Sequence, residues 1–171
     1  MGTQYMYTGI VDYFRIPKRS YYWYRNTYAK VAPPTWPTSG TPAGLKLTPS
    51  TTTLTAVDGT QDVWLLVTVV DASGKALSNN VTVTLTITSG PGEFPTGPSI
   101  TFTPGTTKPA SDIAILDGQA AIEFRTYYSG TTVITATSPG LTSSTVTITS
   151  QGSPAYVPGQ TPPADSRPYS G

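Results

Sequence analysis

The chain contains no cysteine and no histidine. That excludes disulfides, thiolate nucleophiles, imidazole bases and the usual zinc ligands. Charge is scarce too, at 11% Asp, Glu, Lys and Arg. No apolar run approaches the length of a membrane span, so no membrane partner is expected. The first residues lack the apolar core of a signal peptide. At 171 residues the chain can still bury a core large enough to need no covalent or metal staple.

The few charges are unevenly placed. Residues 1–30 carry Arg15, Lys18, Arg19, Arg25 and Lys30 against Asp12 alone, a net of +4. The remainder has five basic groups against eight acidic ones, a net of −3. The basic head is also dense in Tyr and Trp, whereas the body is rich in Thr. The body offers no extended basic groove, so nucleic acid is not an expected partner. So sharp a change of character marks residues 1–30 as the end of something larger.

In the head, Pro17 suits the first position of a helix. Pro17, Tyr21, Tyr24 and Tyr28 then recur at helical spacing. The helix must end before Ala32-Pro33-Pro34-Thr35-Trp36-Pro37, because each proline disfavours a helical residue before it. Residues 31–43 read as a stiff, Pro-rich linker.

Residues 44–150 alternate with period two. Val63, Leu65, Val67 and Val69 alternate with Trp64, Leu66, Thr68 and Val70, the first set facing a core. Val81, Val83, Leu85 and Ile87 repeat the pattern, as do Ala120, Ile122 and Phe124. Asp58-Gly59, Asp71-Ala72-Ser73-Gly74, Asp117-Gly118 and Pro139-Gly140 are turn signals. The prediction is all-β: an immunoglobulin-like antiparallel β-sandwich of about seven strands, preceded by one short N-terminal helix. Residues 151–171, rich in Pro, Gly and Ser, read as an extended tail or linker. The turn aspartates Asp58, Asp71, Asp112 and Asp117 form no clustered ligand loop. No metal and no cofactor is expected.

The head segment Gly9-Ile10-Val11-Asp12-Tyr13-Phe14-Arg15-Ile16-Pro17-Lys18-Arg19-Ser20-Tyr21-Tyr22 resembles the end of the catalytic barrel in bacterial glycoside hydrolase family 2, the β-galactosidase group. In the body, Ala56-Val57-Asp58-Gly59-Thr60, Val67-Thr68-Val69-Val70-Asp71-Ala72-Ser73-Gly74, Ser89-Gly90-Pro91-Gly92-Glu93 and Ala136-Thr137-Ser138-Pro139-Gly140-Leu141 resemble the immunoglobulin-like C-terminal domain of those enzymes. The resemblance spans residues 9–150. It implies a remnant of the barrel in residues 1–30, a parent catalytic domain as partner, and a secreted, periplasmic or cell-surface bacterial location. It also implies that the two catalytic glutamates lie in the barrel, outside this chain. The chain's own Glu93 and Glu123 fall in a loop and on the outward side of a strand, and read as solvated surface carboxylates. No enzyme activity is expected.

The function so implied is that of an accessory domain, supporting the catalytic domain or holding it near polysaccharide. Two alternatives stay open. One is a dedicated carbohydrate-binding module with exposed aromatics as stacking surfaces; its candidates are Trp64, in an outward apolar row with Leu66 and Val70, then Trp23, Trp36, Tyr127 and Tyr128. The other is a structural or adhesive bacterial immunoglobulin-like domain.

Overall fold

The computed structural model describes residues 17, 19–104 and 113–169. Residues 9–16 and Lys18 of the head motif, and Asp112, lie outside them. The chain divides into two compact units, residues 1–36 and residues 37–171.

The first unit carries helix α1, Arg19–Ala29. It starts two residues after Pro17 and stops at Lys30, whose φ of 57° is left-handed. The Lys30 amide donates to the Asn26 carbonyl at 3.1 Å, and its Nζ donates to the Thr27 carbonyl at 2.8 Å. These bonds occupy carbonyls that a helix end leaves without partners. Along the predicted stripe, Tyr24 stacks on Tyr28 with ring centroids 6.1 Å apart. Tyr22 meets Trp36 edge-to-face at 5.1 Å.

The second unit is a β-sandwich. Its strands are β1 (Gly44–Pro49), β2 (Thr53–Leu54), β3 (Val63–Val70), β4 (Val83–Ser89), β5 (Ser99–Pro104), β6 (Ala114–Ile115), β7 (Gln119–Phe124), β8 (Gly130–Thr137) and β9 (Ser144–Ser150). One sheet has the order β1-β3-β7, the other β2-β9-β8-β4-β5-β6. Pairing is antiparallel except for β2 with β9 and β5 with β6. The described strands thus number nine rather than about seven. The extra ones are two-residue edges, β2 and β6, too short to show alternation in the sequence.

Period-two alternation builds the core. Val63, Leu65, Val67 and Val69 are fully buried, and meet Val83, Leu85, Phe102, Ile122, Phe124 and Ile134 in the interior. Phe94, from the loop after β4, packs edge-to-face on Phe124 with centroids 6.1 Å apart. Threonine on the opposite faces satisfies itself across strands: Thr84 with Thr101 at 2.9 Å, and Thr135 with Thr145 at 3.2 Å.

The turn aspartates do local work. Asp71 Oδ1 accepts from the Ser73 hydroxyl at 2.6 Å, the Ser73 amide at 2.8 Å and the Lys75 amide at 3.0 Å. The Ser73 hydroxyl above all, then the Lys75 amide, holds this carboxyl below its ordinary value. Asp58 is held low in the same way by Thr60. Asp117-Gly118 forms the hairpin turn into β7 with φ of 48° and 72°. A Cβ at Gly118 would overlap the Leu77 carbonyl.

The structure corrects the outward row on β3. Trp64 and Leu66 are half-buried, and Thr68 and Val70 are buried. Val70 is covered because the chain doubles back beside it: Ala76 bridges to it, and the Ala43 amide donates to its carbonyl at 2.9 Å. Alternation could not reveal that, since the covering segments are loops.

The tail is the larger departure. Residues 151–169 bend at 152–154 and turn at 158–160, and their backbone bonds back onto the sandwich at Ser129 and Thr96. The linker also docks in part: Gly40 and Asn79 exchange two hydrogen bonds of 2.9 and 3.0 Å.

Candidate functional site

At one end of the sandwich, three segments surround a cleft of about 600 Å³. They are the loop after β4 (residues 90–98), the turn between β7 and β8 (residues 127–129) and the tail (residues 156–167).

The loop after β4 is fixed first. The Glu93 and Arg125 backbones pair at 2.8 and 3.1 Å, continuing the end of β7. The buried Thr132 hydroxyl donates to the Pro91 carbonyl at 2.6 Å. Thr126 Oγ1 donates to the Tyr128 carbonyl at 2.9 Å and accepts from the Tyr128 amide at 3.2 Å. Ser150 Oγ donates to that same carbonyl at 3.0 Å. These bonds set the backbone from which Tyr127, 44% exposed, and half-buried Tyr128 project.

The tail enters through Ser129. Its amide donates to the Pro154 carbonyl at 2.9 Å, and its carbonyl accepts from the Tyr156 amide at 2.8 Å. Tyr156 thereby joins Tyr127 and Tyr128 in the cleft wall. The tail next turns at Val157, whose carbonyl accepts from the Gln160 and Thr161 amides at 3.0 and 2.9 Å.

Beyond Pro162-Pro163 the tail is latched by Arg167. Its Nε donates to the Pro95 carbonyl at 2.7 Å, Nη2 to the Phe94 carbonyl at 3.1 Å, and Nη1 to Glu93 Oε2 at 3.1 Å. Nη2 lies 3.0 Å from Glu93 Oε1, closing a forked ion pair. Glu93 raises the Arg167 pKa above its ordinary value, so the guanidinium stays charged. Its amide donates to the Thr96 carbonyl at 3.1 Å. Beneath this latch Gly97 has φ 102°, and a Cβ there would overlap the Asp165 carbonyl. The body is therefore shaped to receive the tail backbone.

A second cavity, about 140 Å³, lies beside the latch and is lined by Glu93, Glu123, Arg125 and Arg167 with Phe94 and Pro95. Arg125 is bound through Nε and Nη2 to Asp62 at 2.6 and 2.8 Å, which raises its pKa from the ordinary value. The two glutamates are not the solvated pair expected. Glu93 is clamped by Arg167, and Glu123 is half-buried with Oε2 shielded from solvent.

Of the five aromatics singled out, the cleft brings together Tyr127 and Tyr128. Trp64 lies on the β1-β3-β7 sheet, in register with Glu123. Trp23, 60% exposed, and half-buried Trp36 belong to the first unit. Sequence reasoning missed Tyr156, Asp165 and Arg167, and missed that Glu93 holds the tail. The available signal was the presence of two tyrosines, Tyr156 and Tyr169, and one arginine in a tail otherwise poor in large side chains. Among the described residues no helix is long and apolar enough to cross a membrane.

No protein-family model matches the chain, and no curated protein matches it significantly. Solved structures do. A β-glucuronidase from glycoside hydrolase family 2 is similar over 77% of this chain, at 28% identity and a TM-score of 0.53. A glycosyl hydrolase family 2 member from Bacteroides cellulosilyticus is similar over 67%, at 19% identity and a TM-score of 0.52. A β-glycosidase from Bacteroides vulgatus is similar over 65%, at 12% identity and a TM-score of 0.51. The similar region is only 14%, 15% and 14% of those longer chains respectively. This chain has the fold of one part of such glycosidases, an antiparallel β-sandwich.

Proposed function

We propose that the chain is a non-catalytic accessory domain of a family 2 glycoside hydrolase, supporting a parent catalytic domain or holding it near polysaccharide. The observation that carries this reading is the similarity to the β-glucuronidase, which covers most of this chain and only 14% of that enzyme. A secreted, periplasmic or cell-surface location goes with it.

The carboxylates support the non-catalytic half. Retaining glycosidases use one carboxyl group as acid and another as nucleophile on opposite sides of a bound sugar. Both Glu93 oxygens are taken up by the Arg167 guanidinium, at 3.0 and 3.1 Å. The cavity Glu93 shares with Glu123 is about 140 Å³. Small-molecule sites occupy roughly 300–1,000 Å³.

Incubation with chromogenic β-glucuronides and β-galactosides tests this half. No turnover above buffer is expected. Turnover abolished by Glu93→Gln or Glu123→Gln overturns it. The supporting half is tested by deleting this region from the enzyme that carries it: the catalytic domain is expected to lose thermal stability, and an unchanged melting temperature counts against support. A second reading, a dedicated carbohydrate-binding module, is favoured by one observation, the convergence of Tyr127, Tyr128 and Tyr156 on an open cleft.

A further inference from the structure

The cleft walled by the tail has a chemical character that narrows its ligand. Its volume, about 600 Å³, lies within the range of small-molecule sites. Three tyrosines face it from two segments far apart in sequence. No ring pair among the described residues joins Tyr128 or Tyr156 to another aromatic, whereas Tyr127 packs its ring edge on Gly59 and meets Arg125 through its hydroxyl. A phenol ring offers a negative π face to weakly positive C–H groups and a hydroxyl at its edge for polar contacts.

The charges in the lining are Glu93, Asp165 and Arg167. Arg167 is consumed by Glu93 and by the Phe94 and Pro95 carbonyls. What remains are the two oxygens of the Asp165 carboxylate, since both Glu93 oxygens are taken by Arg167. They accept hydrogen bonds from hydroxyls and repel anions.

Rings with a C–H face plus hydroxyl acceptors, without a cation to spare, fit the two surfaces of an uncharged sugar. We propose that this cleft is a binding site for a neutral pyranose unit of a glycan, with Tyr127, Tyr128 and Tyr156 against the sugar face, Asp165 accepting from its hydroxyls, and the Arg167-latched tail as one wall. The proposal deepens the polysaccharide-holding side of the accessory reading and rests on it. Trp64, Trp23 and Trp36 have no part in this site. Arg167 acts as a positioning residue, holding Asp165 and the 157–166 segment over the tyrosines. A proline-rich peptide, the other familiar occupant of a tyrosine groove, meets a wall that already carries Pro162 and Pro163 of the chain itself.

The test is affinity electrophoresis of the full 171-residue chain. The gels contain galactomannan, xyloglucan, mixed-linkage β-glucan or arabinogalactan, with alginate and polygalacturonate as anionic counterparts. A fluorescent proline-rich peptide is titrated in parallel. Retardation by at least one neutral polysaccharide is expected, with little from the polyuronates and no peptide binding. Tyr128→Ala and Tyr156→Ala should each weaken it about tenfold, while Leu116→Ala, an exposed change on the short hairpin into β7, leaves it intact. Arg167→Ala should weaken binding and speed proteolysis of the tail together, whereas a purely structural role would move only the second. Each variant's melting temperature is checked, and Tyr127→Phe, which keeps the exposed ring, should retain binding.

The proposal is overturned by no retardation on any glycan, by retardation indifferent to both tyrosine changes, by preference for a polyuronate, or by peptide binding. Failure here together with a destabilised catalytic domain on deletion removes the site and leaves the supporting role. Hydrolysis in the chromogenic assay strikes the accessory reading instead.

Discussion

Replacing Arg167 by alanine separates docking of the tail from stability of the sandwich. The guanidinium makes a forked ion pair with Glu93 and two further bonds to the Phe94 and Pro95 carbonyls. The pair is part-exposed, with side chains 41% and 25% accessible, so its contribution is discounted to about 1 kcal/mol for solvent screening. The two carbonyl bonds add about 0.5–1 kcal/mol each, at the lower end because water can replace the donor. Loss of the latch therefore costs about 2–3 kcal/mol. Because the tail can lift without breaking the β8–β9 ladder, that loss falls on local opening rather than global unfolding. At one decade per 1.4 kcal/mol, hydrogen exchange in the 156–169 segment should accelerate roughly 30- to 100-fold. The measurement is peptide-resolved hydrogen–deuterium exchange of wild type and variant, beside a thermal melt. A fast-exchanging tail with a melting temperature within about 2 °C of wild type is expected. Unchanged tail exchange would show that the latch does not hold the tail. A large drop in melting temperature would show that the tail is integral to the sandwich.

Phe124→Ala removes a fully buried ring that packs on Phe94, and should cost about 3–5 kcal/mol, lowering the urea midpoint by roughly 2 M. An unshifted midpoint contradicts the core described. Gly118→Ala forces a Cβ onto the Leu77 carbonyl at φ 72°, so expression should yield little soluble protein; a well-folded variant would mean that this hairpin can relax. Asp71 is held below its ordinary value of 3.8 by Ser73 and Lys75, so the folded state prefers its ionised form. Its contribution is present above the unfolded pKa and lost as pH falls through the lower folded value. The melting-temperature gap between wild type and Asp71→Asn should thus be widest near pH 6 and shrink below pH 4; a constant gap refutes the linkage.

The alternation of Val63, Leu65, Val67 and Val69 with their neighbours determines, without coordinates, that a β-sandwich with this inner face forms. Period two and burial of apolar side chains are local properties, and the Asp-Gly and Asp-Ala-Ser-Gly turns mark where each strand must stop. Helix α1 is legible for the same reason, from the spacing of its tyrosines and the prolines that follow. Tyr127 and Tyr128 stand out as ring candidates because they sit at a turn.

Tertiary structure alone decides what covers what. Val70 looks outward by alternation and is buried, because residues 43 and 76 come back beside it. Glu93 looks solvated and is clamped by an arginine 74 residues away. The tail shows no periodicity to read, since its docking rests on backbone bonds at Ser129 and Thr96 and on the bare Cα of Gly97. Backbone hydrogen bonds carry no side-chain signature, and long-range pairs leave no local pattern. The cleft is made by segments around residues 93, 127 and 156, so it comes into being only when the sandwich has folded and the tail has closed over its end.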